Sequence, residues 1–313
     1  MSRGAGDGGL EDRLHGIFAS AFRRRKGLSG PGDDTARVQA PPGRALHLST
    51  DQVVEGIHAE EGTPPAALAR KLVRRSLSDL AAAGARPWAC LWSAALPRTR
   101  EASWVRRLAR AVLAEADRFG MAVIGGDLSA APACVLTCTV LGLEGRRRPP
   151  GRSGARPGDW ICVTGRLGGA VRSGRHLLPE PRLSEGRTLV ERFELHALLD
   201  LSDGLDRDLR RLLRASKAGA CVELESLPLA RGLAHGDEGW ASALLEGEDY
   251  ELLACLPADQ ARRAFEDPLL RRSGFHVIGE VDRERRLRYT AFGEPWTPPG
   301  PGWSHGLGEG GER

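Results

Sequence analysis

Strand-like segments with alternating apolar residues take turns with helix-like segments whose apolar residues recur every three or four positions. This alternation restricts the chain to a sheet packed with helices, an α/β or α+β protein. ALHLSTD (45–51) reads as a short strand, and Pro64 to Pro87 as a helix with prolines at its start and Gly84 and Pro87 as stop signals. CLWSAALP is a strand and EASWVRRLARAVLAEADRFG a helix. MAVIGGD is a strand running straight into a turn, and PACVLTCTVLGLE a further strand. Arg146 to Asp159 then gathers arginine, glycine and proline with little that is apolar, so a domain boundary is expected near residue 150, giving domains 1–150 and 151–313. The second half reads as strand WICVTG, a glycine-broken helix LGGAVRSGRHLL, and an amphipathic helix in SDGLDRDLRRLLRASKAGA with Ser202 or Asp203 near its start. Strands CVELESLPL, GEDYELLACLP and GFHVIGEV follow, with one helix over PADQARRAFEDPLLRRSG.

Composition narrows the chemistry. Lys+Arg is 45 against Asp+Glu 41, a formal net charge of +4, and only Lys26, Lys71 and Lys217 are lysines. None of them follows a glycine, so a Gly-x-x-x-x-Gly-Lys-Ser/Thr phosphate loop is excluded. Arg23 to Lys26 are expected to end a first helix, GLEDRLHGIFASAFRRRK, where cations complement the dipole, and Arg146 to Arg148 to sit in a turn. No basic stripe is interleaved with aromatics, so no nucleic-acid partner is expected. No run of 18 apolar residues and no secretory pattern occurs, so a cytoplasmic protein without a membrane span is expected. The six cysteines are scattered without a Cys-x-x-Cys pair, as suits reduced thiols. Gly306, Gly308 and Gly311 form a Gly-x-Gly-x-x-Gly with no strand before it, a chance match.

Six short segments place carboxylates beside glycine or a small hydroxyl where an extended pattern breaks: Gly32-Asp33-Asp34, Ser49-Thr50-Asp51, Ser78-Asp79, Gly125-Gly126-Asp127, Asp200-Leu201-Ser202-Asp203 and Gly247-Glu248-Asp249-Tyr250. Each alone also fits a turn or a helix cap. Asp79 stands out, because the second half of a helix disfavours a carboxylate. Together they offer many hard oxygen ligands, as Mg²⁺ on a polyphosphate requires.

The array GPGDDTA, STDQVVEGIH, KLVRRSLSDLAAAGARP, VIGGD, RSGARPGDWICVTGRLGG, LLDLSDGLDRDLRRLLRASKAGA, LPLA, EGEDYELL and GWSHG resembles, in order, the thiamine-monophosphate kinase family. The resemblance implies a two-domain aminoimidazole ribonucleotide synthetase-like fold, each domain a mixed sheet packed with helices. The N-terminal domain would bind ATP and Mg²⁺ and dimerise, and the C-terminal domain would complete the ATP and substrate site. The implied reaction is ATP + thiamine monophosphate → ADP + thiamine diphosphate, with several Mg²⁺ ions and a homodimer. By resemblance Asp34, Ser49, Thr50, Asp51, Asp79, Asp127, Asp200 and Asp203 are metal positions, and Asp51, Asp127 and Asp203 are the catalytic ones. Gly126, Asp127, Arg152 and Ser202 contact ATP; His58, Glu248 and Trp303 lie near thiamine monophosphate. Read without the resemblance, His58 also fits a strand-end surface histidine, Trp303 a cover on the core and Glu248 a turn. Ser76, Leu128, Gly169 and Glu246 depart from the family pattern, where asparagine, threonine, aspartate and glycine are usual. Another enzyme of the superfamily, such as aminoimidazole ribonucleotide synthetase, and a non-catalytic nucleotide-binding scaffold are the alternatives.

Overall fold

The computed structural model describes residues 10–22, 25–31 and 33–302. The chain divides into two compact units, residues 1–80 with 85–144, and residues 81–84 with 145–313. Each is a mixed sheet packed with helices, as the alternating pattern requires.

In the first unit α1 (Leu10–Ala21) leads to a sheet of β1 (Leu46–Val54), β2 (Arg86–Leu96), β3 (Ala122–Ala130) and β4 (Val135–Leu143), in the order β1-β4-β2-β3. β2 and β3 run parallel, joined through α3 (Ala102–Arg118); the other pairings are antiparallel. α3 buries Val105, Leu108, Ala109, Val112 and Ala116, the three-to-four spacing of one helix face. α2 (Pro65–Ala82) buries Leu68, Leu72, Val73, Leu77 and Leu80 and stops before Gly84, whose φ of +57° lies in the left-handed region.

The second unit holds seven strands: β5 (Asp159–Val163), β6 (Ala197–Leu201), β7 (Gly219–Glu223), β8 (Glu251–Pro257), β9 (His276–Asp282), β10 (Leu287–Ala291) and β11 (Glu294–Trp296). Their order is β11-β10-β7-β9-β5-β8-β6, antiparallel except for β10 and β7. Ile161, Val163, Leu199, Leu201 and Leu253 pack into one core, and Cys162, Leu198, Leu252, Ala254 and Leu256 into another. Burial on both faces explains why these strands read as unbroken apolar runs. The helices are α4 (Leu183–Arg192), α5 (Leu205–Ser216), α6 (Asp237–Leu245), α7 (Ala258–Glu266) and α8 (Pro268–Ser273). α5 turns Leu205, Leu209, Leu212 and Leu213 inward and ends at Lys217 with φ +55°.

Several expected elements need correction. LGGAVRSGRHLL forms turns and a single 3₁₀ turn, because Gly168, Gly169 and Gly174 take φ of +83°, +64° and +72°. The helix over 257–274 is two helices, broken where Asp267 caps α8, accepting the N–H of Leu269 at 3.0 Å, with Pro268 at its first position. MAVIGGD does not enter a turn: β3 continues to Ala130, and a register shift at Cys90/Leu91 of β2 absorbs the irregularity. The first helix ends at Ala21 with no basic residue in its last turn, and Arg25 pairs with Leu28 in an isolated bridge; Arg23 and Arg24 lie outside the described residues. CVELESLPL is a short strand followed by a 3₁₀ turn, and β10 and β11 add strands the apolar pattern does not announce. All six cysteines are unbridged. No described helix is long and apolar enough to cross a membrane.

Candidate functional site

In the first unit the polar stretch Ser49-Thr50-Asp51 lies in the middle of β1, paired with Val140, Thr139 and Cys138 of β4. Strand alternation then sends its side chains to opposite faces. Ser49 and Asp51 turn toward α2, where the Ser49 hydroxyl donates to the Asp79 carboxylate and Arg75 Nε lies 3.3 Å from Asp51 Oδ1. Asp51 Oδ2 is buried without a hydrogen-bond partner. Burial pushes the Asp51 carboxyl up to about 6, opposed by Arg75 and reinforced by the Asp79 charge.

Thr50 faces the other way, its hydroxyl 2.7 Å from that of Thr139. The register carries this open face across the sheet: Gln52 pairs with Thr137, Thr137 with Ser93, and Ser93 with Asp127. Asp127 therefore shares the face of Thr50 and Gln52, not that of Asp51. Three inter-strand steps separate β1 from β3, roughly 14 Å. The sheet thus brings Ser49, Asp51 and Asp79 together and sets Thr50 and Asp127 apart from them. Gly126 has a requirement of its own, since a Cβ there would lie 1.8 Å from the Trp92 carbonyl oxygen. Asp34 is exposed in a bend, its N–H bonded to Asp33 Oδ1 at 2.9 Å. His58 is half-buried just after β1; its Nδ1 accepts the Val54 N–H at 3.0 Å, which leaves the proton of the neutral ring on Nε2.

In the second unit Asp200 is buried near the end of β6, and Ser202 and Asp203 form the turn into α5. Neither caps the helix with its side chain; Gly204 stands at that position with φ +98°. The turn is held from below by Asp208, which accepts the N–H groups of Ser202 and Asp203 at 2.9 Å each. Burial raises the Asp208 carboxyl above its ordinary value, against those two N–H groups and Arg211. Arg211 joins Asp208 and Asp203 at 2.7 Å each. Glu248 lies in the irregular segment before β8 rather than opening the strand; it and Tyr250 take φ of +72° and +52°. The Glu248 N–H donates to the Ser202 carbonyl at 2.8 Å, and the Tyr250 hydroxyl to Glu248 Oε2 at 3.2 Å. Arg152 is exposed in the 151–154 loop. Trp303 and the 306–311 glycines lie outside the described residues.

Sequence reasoning overlooked Arg75, Asp208 and Arg211, whose roles depend on where the chain folds back. Asp249 stands in one of the carboxylate segments without a role assigned from the sequence; its carboxylate accepts the Gly168 N–H at 3.0 Å and pairs with Arg175 at 2.7 Å. Two positions that leave the resembled family's pattern meet: Glu246 Oε2 accepts the Gly169 N–H at 2.9 Å. A carboxylate is thereby supplied from 246 to a turn that lacks one at 169. Among the described residues, no three His, Cys, Asp or Glu side chains gather as a metal-holding group. Asp51 and Asp79 with Ser49 instead make a partial set of hard oxygens, and the orphaned Oδ2 is the atom a cation would satisfy. That suits Mg²⁺, which takes one or two carboxylates and completes its shell with phosphate oxygens and water.

Residues 32–143 match the model of the AIR synthase related protein N-terminal domain, and residues 156–291 that of the C-terminal domain. The thiamine-monophosphate kinase of Salmonella typhimurium is 34% identical over 303 residues, covering 88% of this chain and 91% of its own. The crystal structure of thiamine-monophosphate kinase from Stenotrophomonas maltophilia K279a superposes with a TM-score of 0.78 at 30% identity, covering 93% of this chain and 98% of that one. A structure of AaThiL complexed with AMPPCP and TMP superposes with a TM-score of 0.73 at 27% identity, covering 97% and 98%. Identity at this level over nearly the whole of both chains, with both domains matched, means that the chain belongs to the thiamine-monophosphate kinase family.

Proposed function

We propose that this chain transfers the terminal phosphoryl group of ATP directly, in line, to thiamine monophosphate, giving ADP and thiamine diphosphate, the last step of thiamine diphosphate biosynthesis. The observation that carries the reading is the Ser49–Asp51–Asp79 group, with one buried carboxylate oxygen left without a partner. The thiamine-monophosphate kinase relatives and the AaThiL structure complexed with AMPPCP and TMP support it.

The acceptor is a phosphate oxygen already ionised near neutrality, so no strong general base is required. Repulsion between two anions is the obstacle, and charge neutralisation with positioning is what a protein supplies. In the first unit Asp51 and Asp79, with Ser49, would hold Mg²⁺, with Asp34, Thr50 and Asp127 at further metal positions. In the second, Asp200 and Asp203 would do the same. When bound, such ions neutralise phosphate oxygens and the protein's own carboxylates alike. Gly126, Arg152 and Ser202 contact the nucleotide, Arg152 steadying its charge, while His58, Glu248 and Trp303 orient thiamine monophosphate. Asp208 keeps Ser202 and Asp203 in place through their N–H groups.

We further expect a cytoplasmic homodimer formed through the first unit's sheet. Leu48 and Leu91, 63% and 38% exposed, lie on the open face with Thr50 and Thr139 and support that expectation. Light scattering on the purified protein tests it, a monomeric mass being the contrary result. The deciding experiment for the activity mixes the protein with ATP, Mg²⁺ and thiamine monophosphate and assays ADP and thiamine diphosphate. Both products should appear together; absence of product while ATP still binds would favour a non-catalytic scaffold.

A further inference from the structure

A cavity of about 790 Å³ opens in the second unit, within the size range of small-ligand pockets. Arg166, Arg172, Arg175, Arg182, Arg231 and Arg272 all line it. Its lining carboxylate, Glu251, is engaged already: Arg182 grips it with two bonds of 2.6 Å, and the Thr164 hydroxyl donates to it at 2.7 Å. Arg175 is committed to Asp249 at 2.7 Å. The other four arginines form no ion pair with any described carboxylate; Arg166 donates at 2.8 Å to the Leu229 carbonyl alone. Elsewhere in this unit exposed guanidinium groups do find partners, Arg210 on Asp206, Arg211 on Asp203 and Arg192 on Asp267. Arginines unpaired among the described residues occur elsewhere in this unit too, Arg214 and Arg271 among them, but here four of them line one concavity.

The walls are tied together. Gly165 donates to the Ser273 carbonyl at 3.1 Å, Leu167 to Pro228 at 2.8 Å, and Ala230 to Leu167 at 2.9 Å. These bonds fasten the three turns that carry Arg166 and Arg172, Arg231, and Arg272, so the cavity exists before a ligand enters. Converging planar guanidinium forks of this kind select phosphate oxygens, which they bind with two parallel bonds, and repel cationic or apolar guests.

We propose that this cavity is a binding site for a compact polyphosphate anion, held by Arg166, Arg172, Arg231 and Arg272. The site stands independently of the catalytic reading, since none of its four arginines belongs to the metal, ATP or thiamine monophosphate positions.

The test is calorimetric titration of the full chain with pyrophosphate and, separately, with ADP, in EDTA so that metal-dependent binding is suppressed. The variant Arg172→Ala/Arg231→Ala/Arg272→Ala alters exposed side chains only, and its melting temperature should match the wild type. Arg107→Ala/Arg110→Ala/Arg118→Ala, exposed on α3, removes the same charge from the first unit. One-site binding should weaken at least about tenfold in the cavity variant and stay within about twofold of wild type in the control. Tighter pyrophosphate identifies a free anion as the ligand, tighter ADP a nucleotide's polyphosphate tail. Saturable binding of neither probe, or equal loss in both variants, overturns the proposal.

Discussion

Arg75 stands 3.3 Å from one oxygen of Asp51 and leaves the other buried and unbonded. Arg182 and Glu251 in the second unit, by contrast, pair through both carboxylate oxygens. The half-used carboxylate marks a position held ready for a cation. Asp51→Asn keeps the shape and removes the charge, so turnover should fall by about 100-fold or more. Melting temperature in EDTA near neutral pH should hold or rise, because burial disfavours the ionised Asp51 carboxyl by more than Arg75 offsets. Rates near wild type at saturating Mg²⁺ would refute the role.

Asp208 does for the second unit what no nearby residue can replace. Its carboxylate satisfies the N–H groups of Ser202 and Asp203 and one arm of Arg211. Asp208→Ala leaves two N–H groups without their acceptor and Arg211 with Asp203 alone, and should cost about 2–4 kcal/mol in urea unfolding. Asp208→Asn retains an acceptor oxygen and should recover part of that loss. If the turn positions ATP and metal ligands, kcat should fall for both variants more than stability explains at temperatures where each is folded. Unchanged kcat would leave Asp208 a purely structural residue.

How much of this was legible in the sequence depends on whether the signal was local. The carboxylate segments stand out because acids beside glycine or serine interrupt apolar periodicity. Their positions were less visible. Ser49-Thr50-Asp51 read as a strand end because both of its faces are polar, and the inward polar face makes sense only with Arg75 and Asp79 opposite. The sequence cannot reveal that Asp51 and Asp127 occupy opposite faces, since that follows from pairing through β4 and β2. The Asp267-Pro268 break was readable as a cap followed by proline, but continuous apolar spacing masked it. The arginine cavity had no sequence signature, because three separated turns contribute its side chains.

Gly126 separates two reasons for one residue. Its place among nucleotide-contacting positions is an inference from family likeness, whereas its fit against Trp92 is geometric. Gly126→Ala would drive a methyl group into the Trp92 carbonyl, 1.8 Å from where the Cβ would sit, and β2 and β3 would have to separate. Destabilisation of about 2–3 kcal/mol is expected, read as a lower urea midpoint. A variant as stable as wild type would mean that the strands yield locally and that packing does not demand glycine here.

Asp249 carries the pH dependence that the second unit should display. Burial pushes its carboxyl up to about 7, outweighing the Arg175 charge and the Gly168 N–H, which pull it down. A folded-state value above the unfolded one means that the native protein holds the proton more tightly. The resulting stabilisation is fully present below the ordinary carboxylate range and is lost as pH rises through about 7. Urea unfolding of wild type and Asp249→Asn from pH 4 to pH 8 should therefore diverge, wild type losing stability relative to the variant by an amount on the order of a few kcal/mol. The asparagine keeps an acceptor for Gly168 without a titrating proton, so its curve isolates the ionisation. Parallel curves would show that Arg175 holds Asp249 ionised throughout, and that the ion pair, rather than burial, governs this turn.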